Sequence, residues 1–216
     1  MSEEARLREN ICAMARSIFD RGLTAGASGN ISARLSDGGL LVTPTGSSLG
    51  RLDPARLSHF DAGGRLVSGD PPTKEMSLHQ AFYETRNEAG AVVHLHSTHS
   101  VALSVLPDTD PDNVLPPITP YSIMRLGKVK LLPYFSPGDP GMGDAVRSLA
   151  GKRSAVLLAN HGPVVAGKDL EAAVYAMEEM EETARLVMLT RGHGPVLLTE
   201  GQVRDLVRKF GLEWEN

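Results

Sequence analysis

Residues Ala91-Val-Val-His-Leu-His-Ser97 constrain this chain more than any other stretch. Three apolar residues, two of them β-branched, read as a strand leaving a core. Side chains alternate between faces along a strand, so His94 and His96 are expected on one face and Leu95 on the other. Two imidazoles so placed form a chelating pair for zinc or a similar divalent ion. A catalytic metal takes three protein ligands and keeps one position open, which calls for a further donor. Two candidates stand out, Glu75 in Pro71-Pro-Thr-Lys-Glu-Met-Ser-Leu-His79 and His161 in Leu158-Ala-Asn-His-Gly162. One histidine at a strand end is more simply a satisfied polar residue. A pair with two such donors available points to metal.

The rest of the chain supplies a frame for that strand. With 216 residues there is enough for one well-buried domain and too little for two, and no repeat, linker or low-complexity tract divides residues 1–216. Leu7, Ile11, Met14, Ile18 and Phe19 predict a helix over about Glu3 to Arg21, stopped by Gly22. Two glycine-rich turns follow, Gly26-Ala-Ser-Gly-Asn30 before a short strand and Pro44-Thr-Gly46 after another. Each offers backbone N–H groups and a polar side chain, Asn30 and Thr45, of the kind that hold a phosphate. Gly29 and Gly46 could equally serve only as hairpin residues. The turns become a site only if they converge on the metal.

Downstream, His59 to Ser68 reads as a hairpin about Gly63-Gly64, and Thr73 as N-cap of a helix with Glu75 in its first turn. Lys74 adds a positive charge at that helix start, itself a natural anion site. His79 and His99 read as supporting groups rather than ligands. Short helices are expected over 99–106, from Tyr121, and over 142–149, with strands over 129–135 and 154–159. Asp169 caps a long helix to about Arg191, whose acidic run Glu178 to Glu182 reads as a solvated face. Thr199-Glu-Gly-Gln202 is a capping-box start for a last helix ending at Gly211. The sum is a central, largely antiparallel sheet with helices on its faces.

Charge and cysteine content narrow the function classes. A formal net charge of -4 without a basic block excludes a nucleic-acid tracking surface, so an anionic substrate must be met by local donors. The single cysteine, Cys12, rules out an internal disulfide and fits a reducing compartment. No apolar run reaches bilayer length and the acidic N-terminus has no signal-like h-region, which together predict a cytoplasmic protein without membrane partners.

The set Gly29-Asn30, Thr45-Gly46, Pro-x-x-Glu75, His94-x-His96 and Asn160-His161-Gly162 resembles, in matching order over nearly the whole chain, the class II aldolase/adducin family. The resemblance implies an α/β fold, a three-layer α/β/α arrangement, and a homotetramer with active sites between subunits. It assigns the metal, usually zinc with Mn²⁺ or Co²⁺ as other divalent options, to His94, His96 and His161. Glu75 becomes the acid/base, and a further metal ligand when substrate is absent. Gly29, Asn30, Thr45 and Gly46 would hold a substrate phosphate, and Tyr121 would reach a neighbouring subunit's site.

One departure separates branches of the family. Where the aldolase pattern resembles Pro-Ser-Ser-Glu, this chain has Pro72-Thr73-Lys74-Glu75. Thr73 keeps a hydroxyl, while Lys74 brings a cation beside the catalytic position. With Pro44-Thr-Gly-Ser-Ser-Leu-Gly50, this looks like the branch that decarboxylates 3-oxo-tetronate 4-phosphates to dihydroxyacetone phosphate and carbon dioxide. Its substrate has a carboxylate opposite its phosphate for Lys74 to meet. The implied chemistry is electron withdrawal by the metal, cleavage of a C–C bond, and protonation of the resulting enediolate by Glu75, whose pKa burial could raise. The alternatives are a ketose-phosphate aldolase or a ribulose-5-phosphate 4-epimerase-like enzyme. An adducin-like binding module has no need of an open metal site, and a metal-dependent hydrolase would not retain its phosphate.

Overall fold

The computed structural model describes residues 1–212 and 214. Eight strands form one sheet: β1 (Asn30–Arg34), β2 (Leu40–Val42), β3 (Ser58–Phe60), β4 (Leu66–Ser68), β5 (Ala91–His94), β6 (Lys130–Leu132), β7 (Ala155–Leu158) and β8 (Gly162–Gly167), in the spatial order β4-β3-β2-β1-β5-β8-β7-β6. Every pairing is antiparallel except β6 with β7. β5 therefore lies at the centre, between β1 and β8, and its buried run of Ala91 to His94 fits a strand covered on both faces.

Alternation along the strands sorts the core into two clusters. Ile31, Ala33, Val93, Leu157 and Val165 pack with α1 (Glu3–Asp20), α3 (Thr98–Ser104), α4 (Pro120–Leu126) and α6 (Leu170–Thr190). Val92, Val156, Leu158 and Val164 pack with α2 (Met76–Thr85) and α5 (Gly141–Ser148). On α1 the predicted stripe buries Ile11 and Ile18 completely, each worth about 2–3 kcal/mol of transfer free energy. Ser2 caps it, accepting from the Ala5 amide. The last helix, α7 (Glu200–Phe210), has the expected capping box at Thr199 and Gln202 and ends at Gly211 in the left-handed region. Among the described residues, no helix is long and apolar enough to cross a membrane.

Two local expectations are corrected. Thr73 is not an N-cap, because α2 begins three residues later with Glu75 at the cap position. The Thr73 amide donates to the Thr43 carbonyl and Pro72 bridges to Pro44, so this segment stays extended alongside the turn after β2. His96 is not on the strand either. β5 ends at His94; the Leu95 amide still reaches the Pro163 carbonyl, and the chain then turns into α3.

Candidate metal centre

His94 is the last residue of β5, in register with Asn30 on β1 and Val164 on β8, and is wholly buried. Its Nδ1 lies 2.9 Å from the Pro163 carbonyl oxygen, which can only accept, so the proton sits on Nδ1 and the Nε2 lone pair faces inward. His161 lies in the β7–β8 hairpin, where Asn160 takes the left-handed conformation that asparagine tolerates, with φ of 57°. A Cβ on the next residue, Gly162, would stand 2.2 Å from the Leu95 carbonyl oxygen, so only glycine lets the hairpin close against the His-x-His segment.

His96 completes the trio although it has left the ladder. Its Nε2 is 3.1 Å from the Nε2 atoms of both His94 and His161. Tetrahedral nitrogens at ordinary zinc distances stand roughly 3.3 Å apart, so these three imidazoles fit a divalent ion as they are. Burial pushes the pKa of His94 and His96 down, which keeps them in the neutral form that a metal needs.

Glu75, 7% exposed, faces the trio. Its Oε2 accepts from Asn30 Nδ2 at 2.8 Å and lies 3.4 Å from His94 Nε2, while Oε1 is 3.3 Å from His161 Nε2. A carboxylate there is within reach of both roles foreseen for it. The expected rise in its pKa is not found. Burial pushes the carboxyl up, but positive charge on the His94 imidazole where it holds a proton, the hydrogen bond from the Asn30 amide and positive charge likewise on His161 outweigh it and hold the group below the ordinary carboxylate range.

Behind Glu75 runs a buried polar chain. His79 Nε2 is 2.5 Å from Asn30 Oδ1, His79 Nδ1 is 2.7 Å from Ser32 Oγ, and Ser32 Oγ is 2.8 Å from Tyr83 Oη. Burial drops the His79 pKa from 6.5 to about 4. The unfolded chain therefore binds a proton between those values that the folded chain does not, and stability falls as pH falls through that window. His79 alone is expected to cost the metal-free protein about 3 kcal/mol between pH 7 and pH 4. Urea titrations of the metal-free protein and of His79→Gln measure this; equal slopes in the two would refute it.

The phosphate residues are brought together in part. Gly29, with φ of 82°, lets β1 start flush against His94, where a Cβ would meet the His94 carbonyl oxygen at 3.0 Å. The second turn is stitched to the lead-in of Glu75, since the Thr45 amide donates to the Pro71 carbonyl at 3.0 Å. Thr45 and Gly46 are exposed, while buried Thr73 accepts from the Glu75 amide at 3.3 Å. Lys74 is exposed next to Gly138 of the loop before α5. Tyr121 is 60% exposed on α4.

One residue read as solvated is structural. Glu181, with a side chain only 13% exposed, accepts from the amides of His99 and Ser100, the Ser100 hydroxyl and His99 Nδ1. It clamps the start of α3, immediately after His96. Its spacing of four residues from Met177, three from Ala184 and seven from Met188 puts it on the apolar stripe, but the acidic run around it hid that signal.

An inward-facing imidazole trio with one buried carboxylate across from it, at the end of the central strand of a mixed sheet, is a site that could hold a divalent ion. The chain belongs to the class II aldolase family: the model for the Class II Aldolase and Adducin N-terminal domain matches residues 9–188. It is 50% identical over 204 residues to the 3-oxo-tetronate 4-phosphate decarboxylase of Escherichia coli strain K12, covering 94% of this chain and 96% of that one. The Cupriavidus necator protein of the same name is 46% identical, covering 99% of this chain and 100% of that one. The crystal structure of YgbL from Escherichia coli superposes with a TM-score of 0.92 at 47% identity, over 95% of this chain and 99% of that one.

Proposed function

We propose that this chain is a metal-dependent carboxy-lyase that converts a 3-oxo-tetronate 4-phosphate to dihydroxyacetone phosphate and carbon dioxide. The observation that carries the reading is the run of decarboxylase relatives at 46–50% identity over nearly the full length, on a chain whose trio and Glu75 are intact. A divalent ion on His94, His96 and His161, zinc by preference, would withdraw electrons from the substrate's ketone and adjacent hydroxyl oxygens.

The chain's own residues do the rest. Gly29, Thr45, Gly46 and Thr73 hold the phosphate end, the Asn30 carboxamide being taken up by Glu75 and His79, and Lys74 meets the carboxylate by a charge-assisted contact. As the C–C bond to the carboxylate breaks, its electron pair moves toward the ketone oxygen. Glu75, ionised at rest, takes up a proton from the substrate side and then delivers it to the carbon that lost carbon dioxide, so each turnover consumes one proton from solvent. Release of carbon dioxide and dihydroxyacetone phosphate from purified, metal-loaded protein tests the reading. An aldehyde released from a ketose phosphate such as L-fuculose 1-phosphate, with no carbon dioxide from the acid, would favour the aldolase alternative instead.

Lys74 separates the two branches. Lys74→Met is expected to lower kcat/KM on the 3-oxo-tetronate 4-phosphate roughly 10- to 100-fold, the worth of a charged hydrogen bond of 1.5–3 kcal/mol. The matching ketose phosphate without the acid group should lose far less. Equal losses on both substrates would reassign Lys74 to the phosphate.

The same reading extends to assembly and setting. It takes residues 1–216 as one three-layer α/β/α domain of a cytoplasmic homotetramer, with Tyr121 reaching the site of the next subunit. The exposure of Tyr121 supports this, since a tyrosine wholly in solvent gains nothing from its ring. Activity is then expected to vanish on dilution to monomer, followed by sedimentation. A fully active monomer would remove Tyr121 from the site.

A further inference from the structure

We propose that His79, backed by Ser32 and Tyr83, is a positioning residue that fixes which end of the Asn30 carboxamide faces Glu75. The two ends of a carboxamide are nearly alike in shape, so sterics alone do not orient Asn30. Turned one way, its NH2 donates to Glu75; turned the other, its oxygen would face a carboxylate that can only accept. The choice is made at the far side, where Asn30 Oδ1 lies 2.5 Å from His79 Nε2. That contact requires a proton on Nε2, so Nδ1 must accept, and Ser32 Oγ at 2.7 Å is the hydroxyl that donates to it. Ser32 then accepts from Tyr83 at 2.8 Å. Every hydrogen bond in the series points the same way, from Tyr83 toward Glu75.

The setting makes this direction hard to reverse. Ser32 and His79 are fully buried and Asn30 and Tyr83 nearly so, which leaves no water to rescue a mismatched donor. Burial also keeps the His79 ring neutral, with one donor and one acceptor nitrogen. The elements align the partners: Asn30 and Ser32 share a face of β1, and Glu75, His79 and Tyr83 recur every fourth residue along one side of α2. A carboxamide in the middle passes no proton along, so the series orients Glu75 without serving it as a proton wire. The proton that Glu75 handles must enter from the substrate side.

The test rests on the proposed decarboxylation for its kinetic arm only. In metal-loaded protein labelled with ¹⁵N-histidine, the imidazole signal that disappears in His79→Gln should carry its proton on Nε2. A proton on Nδ1 there would overturn the proposal whether or not a substrate is known. In the kinetic arm, Gln places an N–H where the imidazole Nε2 was, so His79→Gln should stay within about threefold of the parent kcat. His79→Leu should lose roughly 10- to 100-fold in kcat, the scale for a mispositioned catalytic group, with KM and metal content within twofold. Ser32→Ala removes a single hydroxyl and serves even where the leucine variant does not fold. It should lose about tenfold in kcat and show His79 with a mixed tautomer. Parent-like kcat in folded His79→Leu or in Ser32→Ala, or equal losses in the glutamine and leucine variants, would overturn it.

Discussion

Replacing His96 by alanine is expected to remove both the metal and the activity while leaving the fold in place. Of the three imidazoles, His94 is wholly buried in the ladder and His161 is set in a tight hairpin, so truncating either would also disturb packing. His96 is the exposed member and has already left the sheet, so its removal reports on the site alone. Two imidazoles and Glu75 remain, but a three-ligand centre with a missing corner holds its ion far more weakly. Metal content should drop from about one ion per chain to a small fraction, measured by elemental analysis after desalting. Turnover should fall by at least about a thousandfold, since the electron withdrawal lost is worth several kcal/mol. A variant with stoichiometric metal and parent activity would show that the ion sits elsewhere.

Glu75→Gln should instead keep the metal and lose the chemistry. The amide oxygen can still accept from Asn30 Nδ2, and the three imidazoles are untouched, so metal content and substrate binding are expected to survive. What disappears is the one titrating group across from the trio. A positioned acid/base is worth roughly 10²–10⁴ in rate, and kcat should fall by that factor with KM little changed. Single-turnover measurements that show near-parent rates would reduce Glu75 to a charge at the start of α2.

Much of this site could be read from the chain because its parts are short and local. His94 and His96 announce themselves by spacing and His161 by its place at a strand end, while Glu75 stands out only because the histidines call for a further donor. The misreadings have one physical source, contacts between segments far apart in sequence. Thr73 has the chemistry of an N-cap, yet its amide is taken by Thr43 and the helix starts later. Glu181 belongs to an acidic run of the kind that faces water, yet it meets two free amides at the start of α3, 82 and 81 residues away. The buried series behind Glu75 joins β1 to α2 across 45 to 51 residues. A signal for it was present: polar Asn30 and Ser32 alternate on one strand face, and polar His79 and Tyr83 share one helix face. Two such faces among apolar neighbours must satisfy each other if they meet. Nothing in the sequence said that they would.

The clamp on α3 by Glu181 has a further meaning when joined to the hairpin. His161 lies within the β7–β8 turn, the Pro163 carbonyl sets the orientation of His94, and Glu181 secures the turn that follows His96. All three imidazoles are thus held in part by residues 161–181, although two of them occur before residue 97. In terms of descent, the His-x-His pair and the segment that positions it are open to change independently. A chain of this fold can keep both histidines letter for letter and lose the centre through changes in a later segment that holds one ligand. A binding module descended from such an enzyme therefore need show no damage at the motif itself.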